Sequence, residues 1–248
     1  MSTEIVYRTE KKFLLPEIQL HRLESKVRLL CTSDSHSDAE GKYEVRSLYF
    51  DSPDYQCYSE CKAGVDNRKK YRIRTYNCSA DVINLECKTG LHGKKHKNLI
   101  RLTEEELNGI LDGGTFPIND SDRKELLEDA NVLSAEFDLK LKQGYRPTVV
   151  VAYTRSAFVY PVGNVRITID RDIRALPEKS LFDDSLGGMP VLLSGKAILE
   201  VKYDDVLPQA IKDIFAEENE LRRVSFSKYA VCVDALRGNM VDLFEIFN

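Results

Sequence analysis

The sequence predicts an α+β fold in which helices cover the apolar face of a sheet, while the sheet's charged face lines a shared interior such as a barrel lumen. Three observations predict it. Five segments, 8–12, 71–75, 85–88, 165–170 and 199–203, read as strands with their charges on one face. Both charge signs appear on that face: Arg72 joins Arg74, Glu86 joins Lys88 and Glu200 joins Lys202, while Ile73, Ile167 and Val201 point the other way. Several helix-like segments stand ready to cover the apolar side. One amphipathic strand with its charges in water gives the same alternation. Its repetition over five segments, together with apolar faces that need covering, selects the inward-facing reading. Cations gathered around a few carboxylates in a restricted space are what a polyanion with a bound divalent metal requires, so the pattern reads as a phosphate-chain site.

In chain order, 7–13 is the first strand, and Pro16 opens a helix to about Leu30 with Ile18, Leu23, Val27 and Leu30 as its apolar stripe. A polar loop, 32–41, leads to a strand at 43–51, which ends at the turn Ser52-Pro53-Asp54; a short helix or turn covers 55–62. A polar connection at 64–69 precedes strands at 70–77 and 82–89, joined by a hairpin loop at 77–81 and paired antiparallel. That pairing puts Arg72, Arg74, Glu86 and Lys88 in one neighbourhood. The basic run Lys94-Lys95-His96-Lys97 reads as a solvated loop or an entrance for polyanions. Thr103 and Glu106 form a capping box for a helix to about Asp112. A second helical region spans 121–142. Strands at 148–160 and 163–173 meet at a turn near 161–164, and alternation from Val149 groups Val151, Tyr153 and Arg155 unless a bulge intervenes. An irregular insertion at 175–195 precedes the strand at 196–203, and helices follow at 208–218 and 225–236.

At 248 residues, with no repeat, low-complexity tract or linker, the chain reads as a single domain, 1–248. A net charge of −4 and a pI near 5.7 argue against nucleic acid as a partner and make any basic site a local concentration. The six cysteines show no Cys-x-x-Cys pair and no metal-ligand spacing, with Cys87 and Cys232 in apolar stretches that suit buried thiols. His21, His36, His92 and His96 form no ligand pattern, and Gly187-Gly188 carries no phosphate-loop motif. With no signal-like start, and with the run Val149-Val150-Val151-Ala152-Tyr153 far short of the ~20 apolar residues that span a bilayer, a cytoplasmic, reduced location without membrane contact of its own is expected.

The fragments Arg8-Thr9-Glu10-Lys11-Lys12-Phe13, Leu48-Tyr49-Phe50-Asp51-Ser52, Lys70-Tyr71-Arg72-Ile73-Arg74, Leu85-Glu86-Cys87-Lys88, Tyr153-Thr154-Arg155-Ser156-Ala157-Phe158, Val165-Arg166-Ile167-Thr168-Ile169-Asp170, Leu199-Glu200-Val201-Lys202-Tyr203 and Ser225-Phe226-Ser227-Lys228-Tyr229, in this order, are similar to those of a known family. The chain resembles the VTC-type polyphosphate polymerase domain of the triphosphate tunnel metalloenzymes, distantly similar to CYTH proteins. The resemblance implies a closed, predominantly antiparallel eight-stranded β-barrel, the triphosphate tunnel, with helices packed outside. It assigns phosphate binding and phosphoryl transfer to Lys12, Arg72, Arg74, Lys88, Arg155, Arg166, Lys202 and Lys228, with Lys97 as an addition. It assigns Mn²⁺ or Mg²⁺ to Glu200, backed by Glu10 and Glu86; hard oxygen ligands suit either ion. Ser227 reads equally as a donor to a terminal phosphate or as a helix N-cap. CYTH relatives carry Glu-x-Glu-x-Lys in the first strand, whereas Arg8 stands here at the first Glu. The exchange removes a metal ligand, adds a phosphate ligand, and fits the VTC branch.

The chemistry implied is transfer of the ATP γ-phosphoryl group to a polyphosphate chain. Arginine forks and lysine point charges suit that reaction, and no strong general base is needed because the nucleophile is already an anion. Hydrolysis of tripolyphosphate or a nucleoside triphosphate, with Glu10 or Glu86 activating water, and a non-catalytic phosphate-chain binding module are the alternatives. Asp170 is open to two uses: orienting Arg166 or aiding a metal, or pairing with Arg171 or Arg174 at a strand end. ATP and polyphosphate or tripolyphosphate are the expected partners. Coupling to transport across a membrane calls for a membrane partner, which the chain does not itself supply.

Overall fold

The computed structural model describes residues 8–34, 37–38, 40–91, 94–113, 128–183, 187–192, 194–216, 218 and 221–238. Its elements run β1 (Thr9–Pro16), α1 (Glu17–Leu30), β2 (Thr32–Ser33), β3 (Lys42–Asp51), α2 (Gln56–Lys62), β4 (Lys69–Tyr76), β5 (Ser79–Leu91), β6 (Lys94–Leu102), α3 (Glu104–Gly113), α4 (Glu128–Lys142), β7 (Arg146–Tyr160), β8 (Val165–Leu176), β9 (Met189–Pro190), β10 (Lys196–Tyr203), α5 (Gln209–Ala216) and α6 (Lys228–Leu236). All strand pairs are antiparallel, in the order β1-β10-β8-β7-β3-β4-β5-β6, with two-residue β2 on β7 and β9 on β8.

The expected closure into a barrel does not occur. Among the described residues the sheet's two edges, β1 and β6, meet at one isolated bridge, Arg8 to Lys95, where the Arg8 N–H lies 3.4 Å from the Lys95 carbonyl. The physical reason lies in β1, whose outer backbone groups are partly taken. Phe13 bridges Arg223, and the Val224 N–H donates to the Lys12 carbonyl at 2.9 Å, so the segment leading into α6 covers part of this edge. The result is a curled, open sheet of eight main strands.

The outer face is apolar, as alternation demands. Over β1, β10 and β8, Leu15, Leu199, Val201, Ile167 and Ile169 pack against Leu20, Leu23 and Val27 of α1 and Ile211 and Ile214 of α5. The α1 stripe therefore differs from expectation: Ile18 and Leu30 are 64% and 45% exposed, because Ile18 falls on the far side of the helix from Leu20 and Leu30 runs off its last turn. Over β4, β5 and β6, Tyr71, Ile73, Ile83, Leu85, Ile100 and Leu102 pack with Leu107 and Ile110 of α3 and Leu133, Phe137 and Leu141 of α4. Phe137 meets Phe50 edge-on at 5.1 Å and Tyr71 at 5.7 Å. At one end of the curl α6 packs on β7 and β8, bringing Tyr229 onto Tyr49 of the inner face.

Local signals held where they were strong. The Thr103–Glu106 capping box forms reciprocally, at 2.9 and 3.1 Å. The β4–β5 turn is tighter than the expected loop at 77–81: Asn77 (φ 51°) and Cys78 (φ 53°) alone make a two-residue hairpin of left-handed conformation, and β5 starts at Ser79. A bulge does occur opposite β7, but it lies on β8, where Asp172 has φ 48°, so Val151, Tyr153 and Arg155 keep one face. Strand β6 occupies the basic run that the sequence marks as a loop. Of the helical reading at 121–142, residues 121–127 lie outside the described residues, as do Tyr7, His36 and His92. Cys87 and Cys232 are buried, and none of the six cysteines forms a disulfide. Among the described residues no helix is long and apolar enough to cross a membrane.

Phe137 is fully buried between the sheet and α4. Phe137→Ala is expected to cost about 3–5 kcal/mol of stability through lost burial and the cavity left behind, read as a lower midpoint in urea denaturation with an unchanged slope.

Candidate functional site

The inner face is a polar cavity lined by eight cationic side chains, Lys12 (β1), Lys70, Arg72 and Arg74 (β4), Lys88 (β5), Arg155 (β7), Lys202 (β10) and Lys228 (α6), with Tyr49, Tyr153, Tyr229, Ser227 and one carboxylate, Glu200. Period-two alternation delivers them: Lys70, Arg72 and Arg74 are alternate residues of one strand, and in register Arg72 faces Glu86, Lys70 faces Lys88 and Lys12 faces Glu200 across neighbouring strands.

Three clusters organise the charges. In the first, Glu10 sits 2.8 Å from Lys88, 3.3 Å from Lys12 and 3.8 Å from Lys202. Burial alone would raise the Glu10 pKa, but Lys12, Lys88 and Lys202 hold it down at about 2 against the opposing charge of Glu200. Lys88 moves the other way, pushed down to about 7 by burial and by Lys202 and Lys12, which outweigh Glu10 and Glu200. Its contact with Glu10 joins β5 to β1 across the side of the curl that no ladder closes. Burial disfavours the Glu200 anion too, yet Lys202, Lys12, Lys88 and Lys228 hold its carboxyl well below the usual range.

In the second cluster Glu86, almost fully buried, receives Arg72 Nε and Nη2 on one oxygen at 2.8 and 2.6 Å and Lys97 Nζ on the other at 3.1 Å. Burial opposes its ionisation, and Arg74, Arg72 and Lys97 overcome that. Arg72 also donates to the Tyr49 hydroxyl at 2.7 Å, and Arg74 to Ser47 at 3.1 Å and the Tyr153 hydroxyl at 3.2 Å. In the third, Arg155 forks onto Asp170 at 2.6 and 2.8 Å while Lys228 reaches the same carboxylate at 2.5 Å. Asp170 thus takes neither use open to it in the sequence: it is fully buried and pairs with Arg155 and Lys228, which hold it below the ordinary range although burial alone would raise it.

Of the residues singled out in the sequence, Lys12, Arg72, Arg74, Lys88, Arg155, Lys202, Lys228, Ser227 and Glu200 line the cavity. Glu10 and Glu86 stand behind the cations they pair with, and Lys97 reaches in from β6 to Glu86. Arg166, which faces the lining residue Lys202 across β8 and β10, is bonded to Asp34 at 2.6 Å and to the Tyr43 hydroxyl at 3.1 Å and is not itself in the lining. Arg8 pairs with Asp204 at 3.1 Å and donates to the Asn164 carbonyl, away from the lining. Ser227 caps α6, accepting from the Ala230 N–H at 3.4 Å, and also accepts from Lys70 at 3.3 Å. Sequence reasoning missed Lys70, Tyr49, Tyr153 and Tyr229. Lys70 had a signal, two residues before Arg72 on the same face, and Tyr153 had one, two before Arg155.

For a divalent cation the donor set is Glu200 with Glu10. The Glu200 Oε1 oxygen lies 2.7 Å from Lys202 Nζ as an ion pair but has no donor aligned on it for a hydrogen bond, which leaves a buried carboxylate oxygen open to a hard cation. Glu86 belongs to the other cluster, and among the described residues no three His, Cys, Asp or Glu side chains gather as a metal cage. An ion held there would complete its shell with phosphate oxygens and water.

Comparison with known proteins places this geometry. The sequence model of the VTC domain matches residues 7–237. A candidate adenylyl cyclase from Hippeastrum, described as having a dominant triphosphatase activity, shares the fold with a TM-score of 0.52 at 15% identity, over 96% of this chain and 98% of that one. A candidate adenylate cyclase from Bacillus halodurans does so with a TM-score of 0.50 at 15% identity, over 88% and 89% of the two chains. No curated protein sequence matches.

Asp170→Asn is expected to destabilise the fold at neutral pH by about 3–5 kcal/mol, since it leaves Arg155 and Lys228 without their buried counter-charge. A carboxylate whose folded pKa is depressed stabilises above its unfolded value, near ~3.9, and loses that contribution as pH falls through the lower folded value. The gap between wild type and variant in urea denaturation should therefore be full at pH 7 and shrink below pH ~4.

Proposed function

The chain belongs to the VTC domain family, and from that premise we propose that it is a metal-dependent polyphosphate polymerase, which transfers the γ-phosphoryl group of ATP to a polyphosphate chain held in the inner cavity. One observation carries this reading: among the described residues, eight cations converge on a cavity whose only lining carboxylate is Glu200. That ratio suits a ligand with many charged oxygens.

Arg72, Arg74 and Arg155 offer planar forks to phosphate oxygens, and Lys12, Lys70, Lys88, Lys202 and Lys228 supply point charges around them. Several of these cations now face carboxylates. A phosphate chain entering the cavity gives Arg72, Lys88 and Lys228 new oxygen partners while Glu86, Glu10 and Asp170 remain close behind to hold their orientation. Glu200 and Glu10 would hold a Mg²⁺ or Mn²⁺ ion, which would supply charge neutralisation to the phosphate groups. The oxygen–phosphorus bond to ADP breaks as the terminal oxygen of the polyphosphate chain bonds to the γ-phosphorus, and ADP leaves. The cations hold donor and acceptor chains in line against their mutual repulsion.

The carboxylates favour transfer over hydrolysis. Glu10, Glu86, Glu200 and Asp170 are all held below the ordinary carboxylate range by neighbouring cations, the opposite of what a base for water needs. An anionic phosphate acceptor needs no such base. Hydrolysis of a triphosphate is the second reading, favoured by the triphosphatase activity described for the Hippeastrum neighbour.

The test is ³¹P NMR and gel analysis after incubation with ATP, a pyrophosphate primer and Mn²⁺ or Mg²⁺, with tripolyphosphate in a parallel reaction. Chain phosphorus accumulating with ADP is expected; orthophosphate release instead would make the protein a hydrolase, and binding without turnover would make it a binding module. Arg72→Ala should weaken tripolyphosphate binding by about 1.5–3 kcal/mol, the range for charge-assisted hydrogen bonds, in calorimetric titration. Arg166→Ala, outside the lining, should lose less. Glu200→Gln should abolish metal-dependent turnover while metal-free tripolyphosphate binding persists, and equal turnover in the two proteins would remove Glu200 from the metal site.

A further inference from the structure

Two of the sequence fragments, Leu48-Tyr49-Phe50-Asp51-Ser52 and Ser225-Phe226-Ser227-Lys228-Tyr229, meet through a contact that the cavity chemistry does not use. Asp51, buried at the end of β3, accepts four hydrogen bonds. One oxygen takes the N–H groups of Ser52 and Cys57, both at 2.8 Å, and the other takes the Tyr58 N–H at 3.0 Å and the hydroxyl of Tyr229. Cys57 and Tyr58 open α2, whose own N-cap residue, Tyr55, makes no side-chain cap. One carboxylate therefore fixes β3, α2 and α6 together.

Tyr229 is the second residue of α6, and its neighbours carry that fixation into the cavity. Lys228 reaches Asp170 and lies 4.9 Å over the Tyr153 ring. The Tyr229 ring stacks on Tyr49 at 4.9 Å and 24°, and the Tyr49 hydroxyl accepts from Arg72. Burial and the hydrogen bond to charged Asp51 both raise the Tyr229 pKa, so its hydroxyl is a donor at neutral pH.

We propose that Asp51 is a positioning residue of the cavity: through the Tyr229 hydroxyl it sets the start of α6, and with it Lys228, and through the stacked Tyr49 ring it sets Arg72. The contact with phosphate rests on the function proposed above; the positioning itself does not. A carboxylate that only caps α2 needs its three backbone donors and not the phenol. Tyr229→Phe separates the two roles, because it keeps the stacked ring and the cap and removes one donor.

The experiment follows the side-chain ¹⁵N signals of Arg72 Nε and Lys228 Nζ in wild type and Tyr229→Phe, with tripolyphosphate affinity measured by calorimetry in wild type, Tyr229→Phe, Lys228→Met and the double variant. Expected are displaced Arg72 and Lys228 signals in Tyr229→Phe. Binding should weaken about tenfold in the wild-type background and by under about threefold when Lys228 is already Met, the non-additivity that marks action through a shared residue. Signals at their wild-type positions would overturn the proposal, as would an equal loss in both backgrounds. Asp51→Asn should repeat the signal displacement if it folds, and Tyr229→Phe decides the matter if it does not. A wild-type protein that fails to bind tripolyphosphate would sink the functional reading, and the side-chain signals would still decide the positioning.

Discussion

The structure depends on keeping opposite charges paired where water is excluded. Glu10, Glu86, Asp170 and Glu200 sit on the inner face of the curled sheet, and burial alone would push each toward its neutral form. Each is held as an anion by cations from other elements: Glu10 by β5 and β10 as well as its own strand, Glu86 by β4 and β6, Asp170 by β7 and α6. A buried pair stabilises little relative to apolar packing, but losing one partner is costly because the other is stranded. The lattice therefore acts as a constraint on geometry: strands that drift apart leave a bare charge behind.

That constraint explains why the curl persists without a closing ladder. Among the described residues, backbone pairing between β1 and β6 is confined to one bridge, and the chain before α6 occupies part of the β1 edge. Side chains do the joining instead, with Lys88 of β5 reaching Glu10 of β1. The apolar outer face, packed under α1 and α5 on one side and α3 and α4 on the other, supplies the burial that an inner face full of charge cannot.

Period two made most of the cavity legible in the sequence. Arg72 with Arg74, Glu86 with Lys88 and Glu200 with Lys202 need only alternation to share a face, and neighbouring strands then put them together. What failed was whatever depends on a partner outside the segment's own pattern. Strand β6 begins Lys94-Lys95-His96-Lys97, a run with no apolar alternation, and it becomes a strand because β5 offers an edge to pair with. Asp170 looks equally able to serve Arg166, Arg171 or Arg174, and only the packing of β7 and α6 assigns it to Arg155 and Lys228. Arg8 and Arg166 carry the right charge on the right strands, yet their ends lie near Asp204 and Asp34, and nothing in the sequence marks those neighbours. Closure failed for the same reason: the segment at 223–224 that covers the β1 edge is about 210 residues away along the chain.

Burial and charge act differently on the two signs within this lattice, and the difference bears on chemistry. The carboxylates are outnumbered, so each stays ionised and weakly basic. The lysines compete for few anions, and Lys88, pressed by burial and by Lys202 and Lys12, is left at about 7. Anionic oxygens added to this excess of cations would favour the charged form of Lys88 and relieve the repulsion among its neighbours. The cation excess is one that a polyanion offsets.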